Sequence, residues 1–268
     1  MTVKHFHPRA TPERGPLVMG ILNVTPDSFS DGGKWNTIDL AVSHALDMVD
    51  QGADIIDIGA ESTRPGSIKV SAAEEIARLE PVLRELVPML DVPISVDTVK
   101  TSVAEKCLSM GVDIINDVNG LRDEGMSEAC ASAGAYAIIM HMHGILSDIH
   151  AHDMDSNFAE EIRSFLRERT EYALNVGVPE DRIILDPGIG FGKTMGQNEW
   201  IIDHSSYFSD GYPVLSGSSR KRVIKYAYEG WDLDDASADA ARRGWVSGAD
   251  IVRVHDVART VAAVRAGI

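Results

Sequence analysis

The feature that most constrains this chain is an eightfold recurrence: a short Ile- and Val-rich run, a polar break rich in Gly, Asp, Asn or Ser, then in most cases a helix-like segment. The apolar runs are Leu17 to Leu22, Asp54 to Ile58, Pro93 to Val96, Val112 to Ile115, Tyr136 to Met140, Arg182 to Leu185, Pro213 to Leu215 and Ile251 to Val254. Runs this short and this apolar read as strands buried on both faces, as in parallel sheets. Helical spacing of apolar residues follows over Ile38 to Gln51, Ser71 to Leu90, Lys100 to Met110, Glu124 to Ala133, Asn157 to Val176 and Val257 to Ala266. Gly52, Gly111 and Gly134 stand where helix C-termini need a left-handed residue. Eight such units predict an α/β fold of the (β/α)8 TIM-barrel type. A doubly wound open sheet is the alternative, but it would not need such even spacing. The 268 residues nearly match the roughly 250 of one barrel, so 1–268 is expected to be a single domain with a polar leader over 1–16.

Charge narrows the partners. Asp plus Glu number 41 against 25 Lys plus Arg, a net −16, which argues against general attraction to nucleic acid or anionic lipid. Any anionic ligand must therefore meet a local basic cluster. No apolar run approaches the ~20 residues of a membrane span, and the first residues lack a signal peptide's apolar centre. Cys107 and Cys130 both fall inside helix-like patterns and read as core thiols in a reducing compartment. A soluble cytoplasmic protein is expected.

Chemistry-bearing residues gather at the strand ends: Asn23, Asp57, Asp97, Asn116, His141, Asp186, Lys221 and Arg253. In a barrel this is the face that carries active sites. The first strand, in MGILNVTPDSFSDGG, runs into a loop with two carboxylates, Asp27 and Asp31. DPGIGFGKT, Asp186 to Thr194, has neither the Walker nor the dinucleotide glycine spacing and reads as a Gly-rich loop with a carboxylate at its base. HMHG, from His141, raises a metal reading, since His141 and His143 would share a strand face. Barrel hydrolases carry such a pair on the first strand, however, and here that strand offers Asn23.

GSSRKR, Gly217 to Arg222, lies at a strand-to-helix junction where free N–H groups favour an anion, with Ser219, Arg220 and Lys221 as added donors. RVHD, Arg253 to Asp256, sits beside it, and loops seven and eight commonly form barrel phosphate sites. Arg253 alternates with Val252 and Val254, so if those pack outward it points into the mouth. The duller reading pairs Arg253 with Asp256 or Asp27. Asp97, Asn116 and Asp186 are short groups suited to the edge of a flat heterocycle, with Lys221 as a cation to offset them.

With those residues in place, NVTPDSFSDGG, DIGAESTRPG, SVDT, IINDV, IMHMHG, LDPGIGFGK, SGSSRK and IVRVHDV resemble, in order and over nearly the whole chain, the dihydropteroate synthase family. The resemblance implies a barrel, usually homodimeric, that joins 6-hydroxymethyl-7,8-dihydropterin pyrophosphate to 4-aminobenzoate. It assigns Asp97, Asn116, Asp186 and Lys221 to the pterin ring, and Asn23, Arg253 and His255 to pyrophosphate, with Mg²⁺ at Asn23. Thr63, Arg64, Pro65 and Ser219 fall to the aminobenzoate side. Met140, Phe191 and Gly217 complete the substrate set, and Asp31, Arg64 and Lys221 are the catalytic candidates. Asp57 is expected to orient the second loop. The sequence departs from the family between Asp232 and Ser247, where Arg242, Arg243, Gly244 and Trp245 replace a small apolar pattern near the family's dimer contact. A methyltetrahydrofolate:corrinoid methyltransferase-like domain, a paralogue with another second substrate, and a non-catalytic pterin binder are the competing readings. The pyrophosphate-type cations disfavour the first.

Overall fold

The computed structural model describes residues 3–25, 34–61, 69–144 and 154–266. Asp27, Asp31, Thr63, Arg64 and Pro65 lie outside the described residues. Strands and helices alternate as β1 (Leu17–Asn23), α1 (Lys34–Asp50), β2 (Ile55–Gly59), α2 (Ala72–Met89), β3 (Ile94–Asp97), α3 (Thr101–Met110), β4 (Ile114–Asp117) and α4 (Met126–Ala133). They continue as β5 (Tyr136–Met140), α5 (Phe158–Asn175), β6 (Ile183–Asp186), α6 (Met195–Asp203), β7 (Leu215–Ser216), α7 (Arg222–Ala227), α8 (Leu233–Val246), β8 (Ile251–Val254) and α9 (Val257–Arg265). The strands form one parallel sheet in the order β6-β5-β4-β3-β2-β1-β8-β7. A parallel bridge between Leu185 and Val214 brings its two outer strands together, so the sheet closes as the predicted TIM barrel.

Two helix ends show how local chemistry sets these boundaries. Ser71 caps α2 by accepting from the Glu74 N–H at 3.2 Å, and Glu74 and Glu75 place negative charge at the dipole's positive end. Asp232 caps α8 by accepting from the N–H groups of Asp234 and Asp235. The departure between Asp232 and Ser247 therefore marks the caps of one helix. Its buried side is small, with Ala236, Ala240, Ala241 and Gly244 inward, while Arg242 pairs with Asp239 and Arg243 with Asp203 outside. A Cβ at Gly244 would stand 2.9 Å from Ser216 Oγ, so that glycine allows close approach to β7. The helix packs by its small face, and its arginines are surface groups.

The core has two layers. Val18, Leu22, Ile56, Ile58, Val96, Ile115, Ile139, Leu185, Val252 and Val254 face outward into the helices. Leu17, Met19, Ile55, Ile114, Tyr136, Ile138, Ile184, Leu215 and Ile251 fill the barrel interior. Against this inner cluster pack Val3 and Phe6 of the leader, and Tyr136 donates its hydroxyl to the Phe6 carbonyl at 2.8 Å. The leader is thus built into the barrel fold. Cys107 and Cys130 are buried free thiols, as expected. Among the described residues no helix is long and apolar enough to cross a membrane.

Candidate active site

Strand parity builds the site. Successive side chains alternate across a strand, so the outward positions of the apolar layer force their neighbours inward. With Val252 and Val254 outward, Arg253 points in; with Ile56 and Ile58 outward, so does Asp57. The same rule brings Asn23, Asp97, Asn116, Met140 and Asp186 towards the barrel's C-terminal mouth. There a cavity of about 520 Å³ is lined by Asn23, Asp97, Phe191, Gly217, Ser219, Lys221, Arg253 and His255, among others. Beside it, Met140 and Phe191 join Val118 and Met142 in a small buried apolar cluster, an apolar wall for a flat ring.

The polar side of the mouth is an interlocked charge network. Arg253 donates from Nε to Asp57 Oδ2 at 2.6 Å and from Nη2 to Asp97 Oδ2 at 3.0 Å. Asn116 Nδ2 also donates to Asp57 Oδ2, at 3.3 Å. This corrects one expectation. Arg253 does not pair with Asp256, which caps α9, but with Asp57 and Asp97, and Asp27 lies outside the described residues. Asp57 lies fully buried, third of the five residues of β2, and residues 62–68 of the loop it was expected to orient lie outside the described residues. Its inward parity with Ile55 was the available signal, masked by a strand whose other residues are apolar or Gly. Burial pushes the Asp97 carboxyl up to about 7 and Asp57's charge adds to that, while Arg253 opposes it. Asp186 is likewise raised by burial, against the pull of Lys221 and the Gly188 N–H, which donates to its Oδ1 at 2.7 Å. Lys221 is pushed down to about 8 by burial. Its ammonium stands 4.7 Å from the Phe191 ring centroid and donates to the Ile189 carbonyl at 2.6 Å.

The Gly-rich loop carries a residue whose part was not foreseen. Lys193 is only 4% exposed, and its ammonium donates to the carbonyls of Gly188 (2.8 Å), Phe191 (3.1 Å) and His141 (3.3 Å) and to His141 Nδ1 (3.0 Å). From sequence a lysine in a glycine loop suggests an anion site; nothing there reveals that it turns inward to carbonyls. Burial, then Lys193, drives His141 down to about 2, so its imidazole is neutral and its Nδ1 is spent. Among the described residues no group of His, Cys, Asp and Glu is arranged to hold a metal, and the Nδ1 of His141 is taken up by Lys193. Gly188 has φ 73°, and a Cβ there would lie 1.8 Å from the His141 carbonyl oxygen, so only glycine lets the two loops touch.

At the β7 junction Ser219 Oγ lies 3.0 Å from His255 Nδ1 and accepts from the His255 N–H at 3.2 Å. Arg220, expected as a further anion donor, instead makes a two-pronged pair with Asp234 at 2.6 and 2.9 Å. Its φ of 56° turns the side chain toward α8. Glu61, also lining the cavity, accepts from the Val70 N–H at 3.0 Å, and Lys100 pairs with both Glu61 and Glu75.

Comparison with known proteins agrees with this arrangement. The family model described as "Pterin binding enzyme" matches residues 19–255. The dihydropteroate synthase of Bacillus subtilis (strain 168) is 45% identical over 245 residues, 90% of this chain and 84% of that protein. The Clostridium difficile dihydropteroate synthase structure, solved in the presence of pteroic acid, superposes with a TM-score of 0.87 at 44% identity, covering 94% of this chain and 95% of that one. The Xanthomonas albilineans enzyme with 4-aminobenzoic acid gives 0.88 at 39% identity, covering 97% of each chain. On that likeness of sequence and barrel, the chain belongs to the pterin binding enzymes, among their dihydropteroate synthases.

Proposed function

We infer that the protein catalyses the dihydropteroate synthase reaction, a transferase step of folate biosynthesis that joins 6-hydroxymethyl-7,8-dihydropterin pyrophosphate to 4-aminobenzoate. One observation carries the reading: an edge of short polar groups, Asp97, Asn116 and Asp186, converges beside the Met140–Phe191 wall and next to the cations Lys221 and Arg253. Carboxylates accept from the amino and ring N–H donors of a pterin, Asn116 both donates and accepts, and Lys221 donates to ring acceptors. Arg253, His255 and Asn23 serve the pyrophosphate. The Ser219 hydroxyl, bonded to His255, serves the 4-aminobenzoate side with Thr63, Arg64 and Pro65.

The amine nitrogen forms a bond to the exocyclic CH₂ as the C–O bond to pyrophosphate breaks. The bonding pair leaves with the pyrophosphate, and the new secondary amine gives up one proton. No covalent enzyme intermediate is needed. Arg253 and Lys221 stabilise charge that grows on the leaving group, and Asp31 is the carboxylate assigned to the cationic carbon. Mg²⁺ fits the donor set, because the Asn23 amide oxygen is a hard ligand at the mouth, and this ion commonly takes few protein ligands beside phosphates and water. Bound there, it would neutralise leaving-group charge.

A homodimer is supported by large apolar side chains exposed around α7 and α8, Tyr226, Trp231 and Val246, and sedimentation would test it. Buried free thiols support a cytoplasmic location. Pyrophosphate release is the decisive assay: it should require both the pterin pyrophosphate and 4-aminobenzoate. Release independent of the arylamine would contradict synthase chemistry, and tight pterin binding without release would mark a binder.

A further inference from the structure

Arg253, assigned to the pyrophosphate, also donates from Nη2 to Oδ2 of Asp97, the carboxylate assigned to the ring, at 3.0 Å. A pterin that sets its amino group and adjacent ring N–H on both Asp97 oxygens competes with that bond for Oδ2. Releasing a half-buried guanidinium without another partner would be costly, since the charge has already lost much of its hydration. Asp57 removes that difficulty. It is fully buried, touches the cavity only through its neighbours, and holds Arg253 by Nε, the hinge end of the guanidinium, at 2.6 Å. Asp97 holds the outer Nη2. The two bonds are thus separable: the outer one can open while the inner one remains.

We propose that Asp57 is a positioning residue, a fixed anchor that lets Arg253 pass from Asp97 to the pyrophosphate as the pterin arrives. The proposal rests on the synthase reading. Ring binding and pyrophosphate binding are then linked through one side chain: the ester's pyrophosphate draws off the guanidinium, and Asp97 becomes available to the ring donors. Because Asp57 also accepts from Asn116, one carboxylate aligns a group of each subsite. Its second oxygen, Oδ1, is buried with no hydrogen-bond partner, so nothing but these two contacts accounts for the carboxylate at this depth.

The test is a thermodynamic cycle on the full-length protein. Asp57→Asn keeps the shape and an acceptor for Nε but removes the charge. Arg253 should then cling to Asp97, lowering affinity for 6-hydroxymethylpterin roughly tenfold and raising KM for the pyrophosphate ester, with KM for 4-aminobenzoate unchanged. In an Arg253→Ala background there is no guanidinium to release, so Asp57→Asn should add little. Equal losses in both backgrounds, or a fall in kcat with both KM values unmoved, would overturn the proposal in favour of a merely structural carboxylate. Arg253→Lys provides a second arm should Asp57→Asn fold poorly. Lysine cannot span both carboxylates, so free hydroxymethylpterin should bind at least as well while the ester loses its advantage. Equal weakening of both ligands would overturn the hand-over. Wild-type protein that binds pterin but releases no pyrophosphate would refute the synthase reading alone, because the binding cycle does not depend on turnover.

Discussion

Replacing Asp97 by Asn separates binding from stability. The carboxylate is isosteric with the amide, so β3 and its packing are unchanged, but an anionic acceptor facing ring N–H donors becomes a neutral group. A hydrogen bond to a charged partner contributes about 1.5–3 kcal/mol, so pterin affinity should fall roughly tenfold to a hundredfold. The value lies toward the lower end to the extent that the wild-type carboxylate must first give up Arg253, 3.0 Å away. Stability should move the other way. Burial raises the Asp97 carboxyl to about 7 in the folded protein, against the usual carboxylate value of about 4 in an unfolded chain. A raised folded pKa means the stability tied to this group is fully present below about pH 4 and is lost as pH rises through about 7. At ~1.4 kcal/mol per unit over about 3 units, the loss is at most of order 4 kcal/mol, and the Asn variant does not suffer it. Calorimetric titration with hydroxymethylpterin at pH 8, beside thermal unfolding from pH 4 to 8, reads both. Weaker binding with a flatter stability profile is expected. Unchanged pterin affinity refutes the ring assignment, and weaker binding accompanied by unfolding at pH 8 refutes the account of Asp97 as a strained, substrate-directed carboxylate.

Lys221, pushed down to about 8, loses its proton above that pH in the ligand-free site, so wild-type pterin affinity should decline there. Lys221→Met should bind weakly at every pH with that decline abolished, and a persisting decline would place the titration elsewhere. Lys193→Met leaves the His141 carbonyl without its donor, at about 1–3 kcal/mol, while the carbonyls of Gly188 and Phe191 keep the N–H groups of Phe191 and His143. Urea unfolding should show a loss of about 1 kcal/mol or more, and a change under about 0.5 kcal/mol would contradict the clamp. Excess chelator should suppress pyrophosphate release and added Mg²⁺ should restore it; full activity in chelator would remove the metal from the proposed site.

The barrel was legible because its signals are local. Buried parallel strands need continuous apolar runs, helices need 3.6-residue periodicity, and Ser71, Gly111 and Asp232 punctuate helix ends through their own side-chain or backbone chemistry. The positions of Asn23, Asp97 and Asp186 at strand ends follow from the same runs, since each apolar stretch stops where its polar residue begins. The two lysines at the cavity show the limit of this reasoning. Both Lys193 and Lys221 follow Gly- or Ser-rich loops and line the cavity, yet one ammonium meets three carbonyls and His141 Nδ1 while the other meets one carbonyl beside the Phe191 ring.

What the sequence by itself determined is the number, kind and order of elements, and hence which face of the barrel carries the polar groups. Only the tertiary structure decided which of those groups meet. Arg253 lies 196 residues from Asp57 and 156 from Asp97, separations over which no periodicity in the chain carries information. Closure of the sheet brings β8 beside β1 and so across the mouth from β2 and β3, and the low-dielectric interior then makes those pairings obligatory, because a buried guanidinium or carboxylate must find its opposite charge. Spacing along the chain selects the residues; closure of the barrel selects their partners.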